Sequence, residues 1–144
     1  MEYNLPSELV KDLAFGNEAK DKVITGVNKL AQAVKSTLGA SGRCVIYEDG
    51  RGKPVITKDG VTVAESVVLY DPVENMGATL IKEAARNTVR EAGDGTTTAT
   101  VLAEALIKQI DTAVADGLTI REIKDGVNET LDDVINYLNN ISID

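Results

Sequence analysis

The chain has 144 residues, the length of one ordinary domain, with 43% apolar residues but only 3% aromatic, so its core must be aliphatic. A net charge of −8, with no basic cluster and interleaved aromatics, sets nucleic acid aside as a partner because its phosphates would be repelled. The absence of His, with Cys44 as the single cysteine, excludes an internal disulfide, a zinc site and a His-assisted nucleophile, and leaves a hard cation on oxygen ligands as the metal class to expect.

Taken in chain order, residues 17–38 carry Val23, Val27, Leu30, Val34 and Leu38 at three-and-four spacing, which predicts a helix that stops at Gly39. Cys44–Tyr47 and Val55–Thr57 are short β-branched runs around a glycine-containing loop and predict a β-hairpin. Val61–Val63 is expected as a third short strand after the turn at Asp59-Gly60. Asp71-Pro72 starts the next helix, Asp as cap and Pro at the first helical position, with Met76, Leu80, Ala84 and Val89 as its apolar stripe and an end near Gly93. The following helix opens at Gly93-Asp94-Gly95-Thr96-Thr97-Thr98, carries Val101, Leu102, Ala105, Leu106, Ile110 and Val114 as its stripe, and stops at Gly117. Thr119 with Glu122 forms a capping box before the last helix, whose stripe runs Ile120, Ile123, Val127, Leu131, Val134 and Leu138. Charged helix residues such as Glu104, Lys108, Glu122 and Lys124 read as solvated faces. No apolar run is long enough to cross a membrane and no leader pattern opens the sequence. The expected architecture is mostly α, a single helical domain over residues 1–144 carrying a small β-hairpin.

Three segments are candidates for chemistry. Gly93-Asp94-Gly95-Thr96-Thr97-Thr98 places three threonines, poor helix formers, at a helix start. The first-turn N–H groups and the helix dipole favour an anion there, phosphate above all, and the hydroxyls add donors without charge. Asp94 would repel phosphate unless Mg²⁺ lay between them; the plain alternative is that Asp94 caps the helix. The turn Thr37-Leu38-Gly39-Ala40-Ser41-Gly42-Arg43 is glycine-containing, but neither a Walker A loop nor a dinucleotide fingerprint occurs in the chain. Lys58-Asp59 after the second strand reads either as a solvated pair or as a phosphate cation beside a carboxylate that polarises water.

Read in order, these segments resemble the start of a group I chaperonin subunit of the GroEL type. The matching pieces are residues 11–19 (KDLAFGNEA), Thr37-Leu38-Gly39 with Gly42-Arg43, residues 57–64 (TKDGVTVA), residues 74–78 (ENMGA) and residues 92–103 (AGDGTTTATVLA). The resemblance implies an equatorial-domain fold that binds ATP with Mg²⁺, potassium being a further cation it allows. On it, Asp94 holds the magnesium, and Gly95, Thr96, Thr97 and Thr98 form the phosphate-binding helix start. Thr37, Leu38 and Gly39 line the nucleotide, Lys58 meets phosphate, and Asp59 is the catalytic carboxylate near the attacking water. The hairpin resembles the family's stem-loop, which pairs with a neighbouring subunit, so other chaperonin subunits in a ring are the expected partners and the cytoplasm the expected compartment. Where the family carries Pro-Lys, this chain has Ala40-Ser41. The resemblance covers the first half of the equatorial domain; the intermediate domain with the family's second catalytic aspartate, and the apical domain that grips unfolded polypeptide and the co-chaperonin, are expected to lie outside this chain. Two functions follow: the ATP-binding segment of a folding chaperonin, with weak or no ATPase activity by itself, or a truncated chaperonin-like interaction protein that joins full-length rings without hydrolysing ATP.

Overall fold

Helix α1 (Gly16–Lys35) buries Val27, Leu30 and Val34 of the predicted stripe, with Ala31 beside them, while Val23 is half-buried. The helix ends at Lys35 rather than at Gly39, so Leu38 lies beyond it and is half exposed. Helix α1 crosses α3 (Pro72–Ala92) at contact distance. These elements belong to a computed structural model that describes residues 14–143, so the beginning of the first resemblance segment, residues 11–13, lies outside the described residues. The crossing works because each helix offers a glycine to the other's backbone. A Cβ on Gly26 would lie 1.8 Å from the Glu74 carbonyl oxygen, and one on Gly77 would lie 2.1 Å from that of Val23. Ion pairs flank the crossing, Lys29 Nζ to Glu74 Oε2 at 2.5 Å and Lys22 Nζ to Asp71 Oδ2 at 3.1 Å. Full burial of each large aliphatic side chain such as Leu30 or Ile81 contributes roughly 2 kcal/mol.

Strands β1 (Val45–Glu48) and β2 (Pro54–Thr57) pair antiparallel in the register Val45 to Thr57 and Ile46 to Ile56, forming the expected hairpin. Asp49 closes its loop by accepting from the N–H groups of Arg51 and Lys53. The third strand expected at Val61–Val63 is instead helix α2 (Gly60–Ser66). Two forces override the β-branched composition. Asp59 caps the helix start, and Val63 and Ala64 bury their side chains in the core shared with α1 and α3.

Asp71 and Pro72 start α3 as predicted, with Asp71 Oδ1 accepting from Val73 N–H and Glu74 N–H, and Gly93 ends it in the left-handed conformation at φ 76°. The buried face is not the expected one. Met76 and Leu80 are 62% and 63% exposed, whereas Val73, Gly77, Ala78, Ile81 and Ala85 face inward. One residue is 100° around a helix, and close approach to α1 demands the small-residue face that holds Gly77 rather than the bulkier one beside it.

The chain falls into two compact units, Met1–Ala105 and Leu106–Asp144. Helix α4 (Thr96–Ala115) begins in the first, and there its buried residues are Thr96, Thr100 and Glu104. The apolar stripe predicted for it is not its buried face, since Leu102 and Leu106 are exposed, and Glu104, expected in solvent, is only 1% exposed. In the second unit, α4 ends in a Schellman turn, with Leu118 N–H donating to Ala113 O and Gly117 N–H to Val114 O. Helix α5 (Ile120–Ile141) starts with the predicted capping box, Thr119 and Glu122 exchanging side-chain bonds with each other's backbone N–H. Its amphipathic stripe stays uncovered, as no residue of α5 is buried. Among the described residues, no helix is long and apolar enough to cross a membrane.

Candidate functional site

The first candidate segment folds back on the end of α1. Thr37 Oγ1 donates to Val34 O at 2.7 Å, Gly42 N–H to Gly39 O at 3.0 Å and Arg43 N–H to Ser36 O at 2.7 Å. Gly39 adopts φ +74°, which lets the chain reverse there, and Leu38 is left half exposed. The loop is therefore held by its backbone even with Ala40-Ser41 in place of Pro-Lys.

The second segment turns from β2 into α2. Lys58 is exposed. Asp59 Oδ1 accepts from Val61 N–H at 3.3 Å, and Oδ2 accepts from Thr62 N–H at 2.8 Å and from Thr62 Oγ1 at 2.5 Å. The Thr62 hydroxyl, then the backbone N–H groups, hold the Asp59 carboxyl below the usual carboxylate range. A carboxylate so stabilised stays ionised at neutral pH and is a weak proton acceptor, suited to orienting a water or a cation rather than to removing a proton outright.

The third segment joins α3 to α4. Gly95 adopts φ +91°, a conformation that side chains rarely take, and its carbonyl accepts the first helical bond from Ala99 N–H. Asp94 Oδ1 accepts from Gly95 N–H at 2.6 Å, one residue on and short of the first turn of the helix. The threonines point in three directions because successive helix residues are 100° apart. Thr96 is buried, Thr97 half-buried and Thr98 exposed, while the backbone N–H groups of all three remain together at the helix start.

Gly60 brings these segments together. A Cβ placed there would fall 2.3 Å from Thr97 Oγ1, 3.4 Å from Thr37 Oγ1 and 3.5 Å from Val34 Cγ1. The loop after α1, the start of α2 and the start of α4 thus meet at one residue, and two of the predicted hydroxyls flank it. The sequence reading did not include Gly60 among the site residues, although a glycine directly after the Asp59 cap is the signal that a neighbour approaches there. Of the other predicted residues, Lys58 and Asp59 adjoin this meeting point in sequence and Asp94 adjoins the α4 start, each exposed.

Behind the site, α2 is fixed at its other end. Lys82 Nζ donates to Val67 O at 2.5 Å and Glu65 O at 3.3 Å, the C-terminal carbonyls of α2, and burial pushes its ammonium pKa down. Arg86 binds Glu65 through two nitrogens at 2.7 and 2.5 Å. A small apolar cavity of about 110 Å³ lies among Val61, Ala64, Lys82, Ala85, Val89 and Thr96, too small for a nucleotide.

Among the described residues no three or more His, Cys, Asp or Glu side chains group to hold a metal by themselves, whereas Mg²⁺ is commonly held by one or two carboxylates together with phosphate oxygens. The model of the TCP-1/cpn60 chaperonin family matches residues 30–144, a range that contains the three candidate segments. The chain belongs to that family, and membership supports a chaperone role.

Proposed function

We propose that this chaperonin-family chain carries the phosphate-binding part of a magnesium–ATP site in a group I equatorial domain, and serves an ATP-dependent folding chaperone of the cytoplasm. The observation that carries this reading is the convergence at Gly60 of Thr37 and Thr97 from two distant segments. Without a Cβ, Gly60 lets the Thr97 hydroxyl pack directly against its backbone, which seats the start of α2 against a helix start whose N–H groups attract an anion. In this reading the N–H groups of Gly95, Thr96, Thr97 and Thr98, with the Thr97 and Thr98 hydroxyls, bind phosphate oxygens. Thr37, Leu38 and Gly39 line the nucleotide, Lys58 contributes positive charge, and Asp94 holds magnesium. Magnesium, accompanied by potassium, would supply neutralisation of the phosphate charge when bound. Asp59, kept ionised by the Thr62 hydroxyl, orients water. Ring formation with other chaperonin subunits belongs to the same reading; unfolded polypeptide and the co-chaperonin would need the apical domain.

Calorimetric titration of the purified chain with ATP, with and without Mg²⁺, tests the site. Binding that requires magnesium and disappears in Asp94→Ala is expected; a well-folded chain that binds no ATP under either condition rejects the reading. A second reading, an interaction protein that joins intact rings without ATP hydrolysis, is favoured by the exposed cross-strand pair Ile46 and Ile56 on the hairpin. Co-purification with an intact chaperonin that survives Asp94→Ala is its expected signature, and failure to associate with any chaperonin subunit rejects it.

A further inference from the structure

The buried face of α4 is polar along its length in the first unit: Thr96, Thr100 and Glu104 follow one another at four-residue spacing. The Thr100 hydroxyl is accounted for locally, since its Oγ1 donates back to Thr96 O at 2.9 Å. Glu104 is different. It is a carboxylate only 1% exposed, paired with the ammonium of Lys35, a side chain that remains 39% exposed. Burying one partner of an ion pair so completely costs desolvation that an apolar residue would avoid, so stability alone does not explain a glutamate at this position. What an ion pair supplies and an apolar contact does not is an attraction specific to two particular side chains, here Lys35 and Glu104.

The two points it links matter. Lys35 is the last residue of α1, and Thr37 lies two residues on, tied to the same turn through its bond to Val34 O. Glu104 lies two helical turns beyond Thr97 on a rigid helix. The pair therefore links the end of α1 to α4, beside the Thr37 hydroxyl of the turn after α1 and the Thr97 hydroxyl of α4 that flank Gly60. We infer that the Lys35–Glu104 ion pair is a positioning device that sets the height of α4 against the end of α1, and with it the separation of the Thr37 and Thr97 sides of the site. This deepens the reading proposed above and rests on it. The sequence placed Glu104 on a solvated face, so nothing but its burial and its partner reveals the role.

The test uses the whole chain with Glu104→Gln, which keeps the shape and removes the charge, and Lys35→Arg, which keeps the charge. Two quantities are read: magnesium–ATP affinity, and amide hydrogen exchange at residues 37–39 and 96–98 without nucleotide. Glu104→Gln is expected to weaken ATP binding about tenfold, within the range for residues that modulate a site without touching its ligand. It should also speed exchange at both segments while protection across α1 and α3 stays unchanged, and Lys35→Arg should retain both properties. Unchanged affinity and exchange in Glu104→Gln overturn the inference, and so does loss of protection spread evenly over α1 and α3, which marks a merely structural contact. Should Glu104→Gln fold poorly, Lys35→Met/Glu104→Leu removes both charges together, and local against uniform loss of protection decides in the same way. If the unaltered chain binds no ATP, the nucleotide reading falls, while the exchange comparison still decides whether the pair holds α1 and α4 in register.

Discussion

Helices α1 and α5 carry the same kind of signal and meet different fates. Both show apolar residues at three-and-four spacing over some twenty residues. In α1 the greater part of that stripe is covered, with Leu30, Ala31 and Val34 at zero exposure, whereas in α5 Leu131 and Leu138 are about half exposed. Periodicity reports which face of a helix is apolar; it says nothing of whether another element covers that face. The difference lies in what each helix offers a neighbour. α1 presents Gly26 to a helix that presents Gly77 in return, and backbone contact follows.

The sharpest way to break this contrast is at the crossing. Gly77→Ala and Gly26→Ala place a methyl group about 2 Å from a carbonyl oxygen of the facing helix, and backbone cannot step aside as a side-chain tip can. Each is expected to cost about 3 kcal/mol or more, measured by urea unfolding; a loss below 1 kcal/mol would mean the helices are not in backbone contact. Next in size is Gly60→Ala, whose added carbon presses on Thr97 Oγ1 at 2.3 Å. A cost of about 1–3 kcal/mol is expected from overpacking, together with loss of magnesium–ATP binding. Retained binding in a folded Gly60→Ala chain would remove the convergence at Gly60 from the proposed site.

Acid sensitivity is a smaller effect with a defined sign. Asp59 and Asp71 cap α2 and α3, and their carboxyls lie below the ordinary value, Asp59 chiefly through the Thr62 hydroxyl and Asp71 chiefly through the Glu74 N–H. A depressed folded-state pKa contributes stability that is fully present above the unfolded value, near pH 4, and is lost as pH falls through the folded one. Asp59→Asn and Asp71→Asn keep a capping side chain without the titration, so their unfolding midpoints should fall less than that of the unaltered chain below pH 4. Equal acid loss in all three would separate these caps from the acid limb. The smallest effect belongs to α5. Leu131→Ser should change the unfolding free energy by no more than about 0.5 kcal/mol, as for any exposed position; a loss above 2 kcal/mol would mean the stripe is covered in solution.

Features that a few neighbouring residues settle among themselves were legible in the sequence: the Asp71-Pro72 start of α3, the Thr119 and Glu122 capping box, the glycine stops at Gly93 and Gly117, the hairpin of β1 and β2, and the six-residue run from Gly93 whose match pointed to the chaperonin family. Each depends on local hydrogen bonding and dihedral preference, and these act over one or two turns of chain. Only the tertiary structure decided that Val61–Val63 is helical, that α3 turns Gly77 rather than Met76 inward, that Glu104 is buried beside Lys35, and that Gly60 lies between Thr37 and Thr97. Those outcomes depend on which surfaces from distant parts of the chain fit together, and on the burial and ion pairing that result. No local pattern encodes that fit, because the same residues would read identically with any other neighbour.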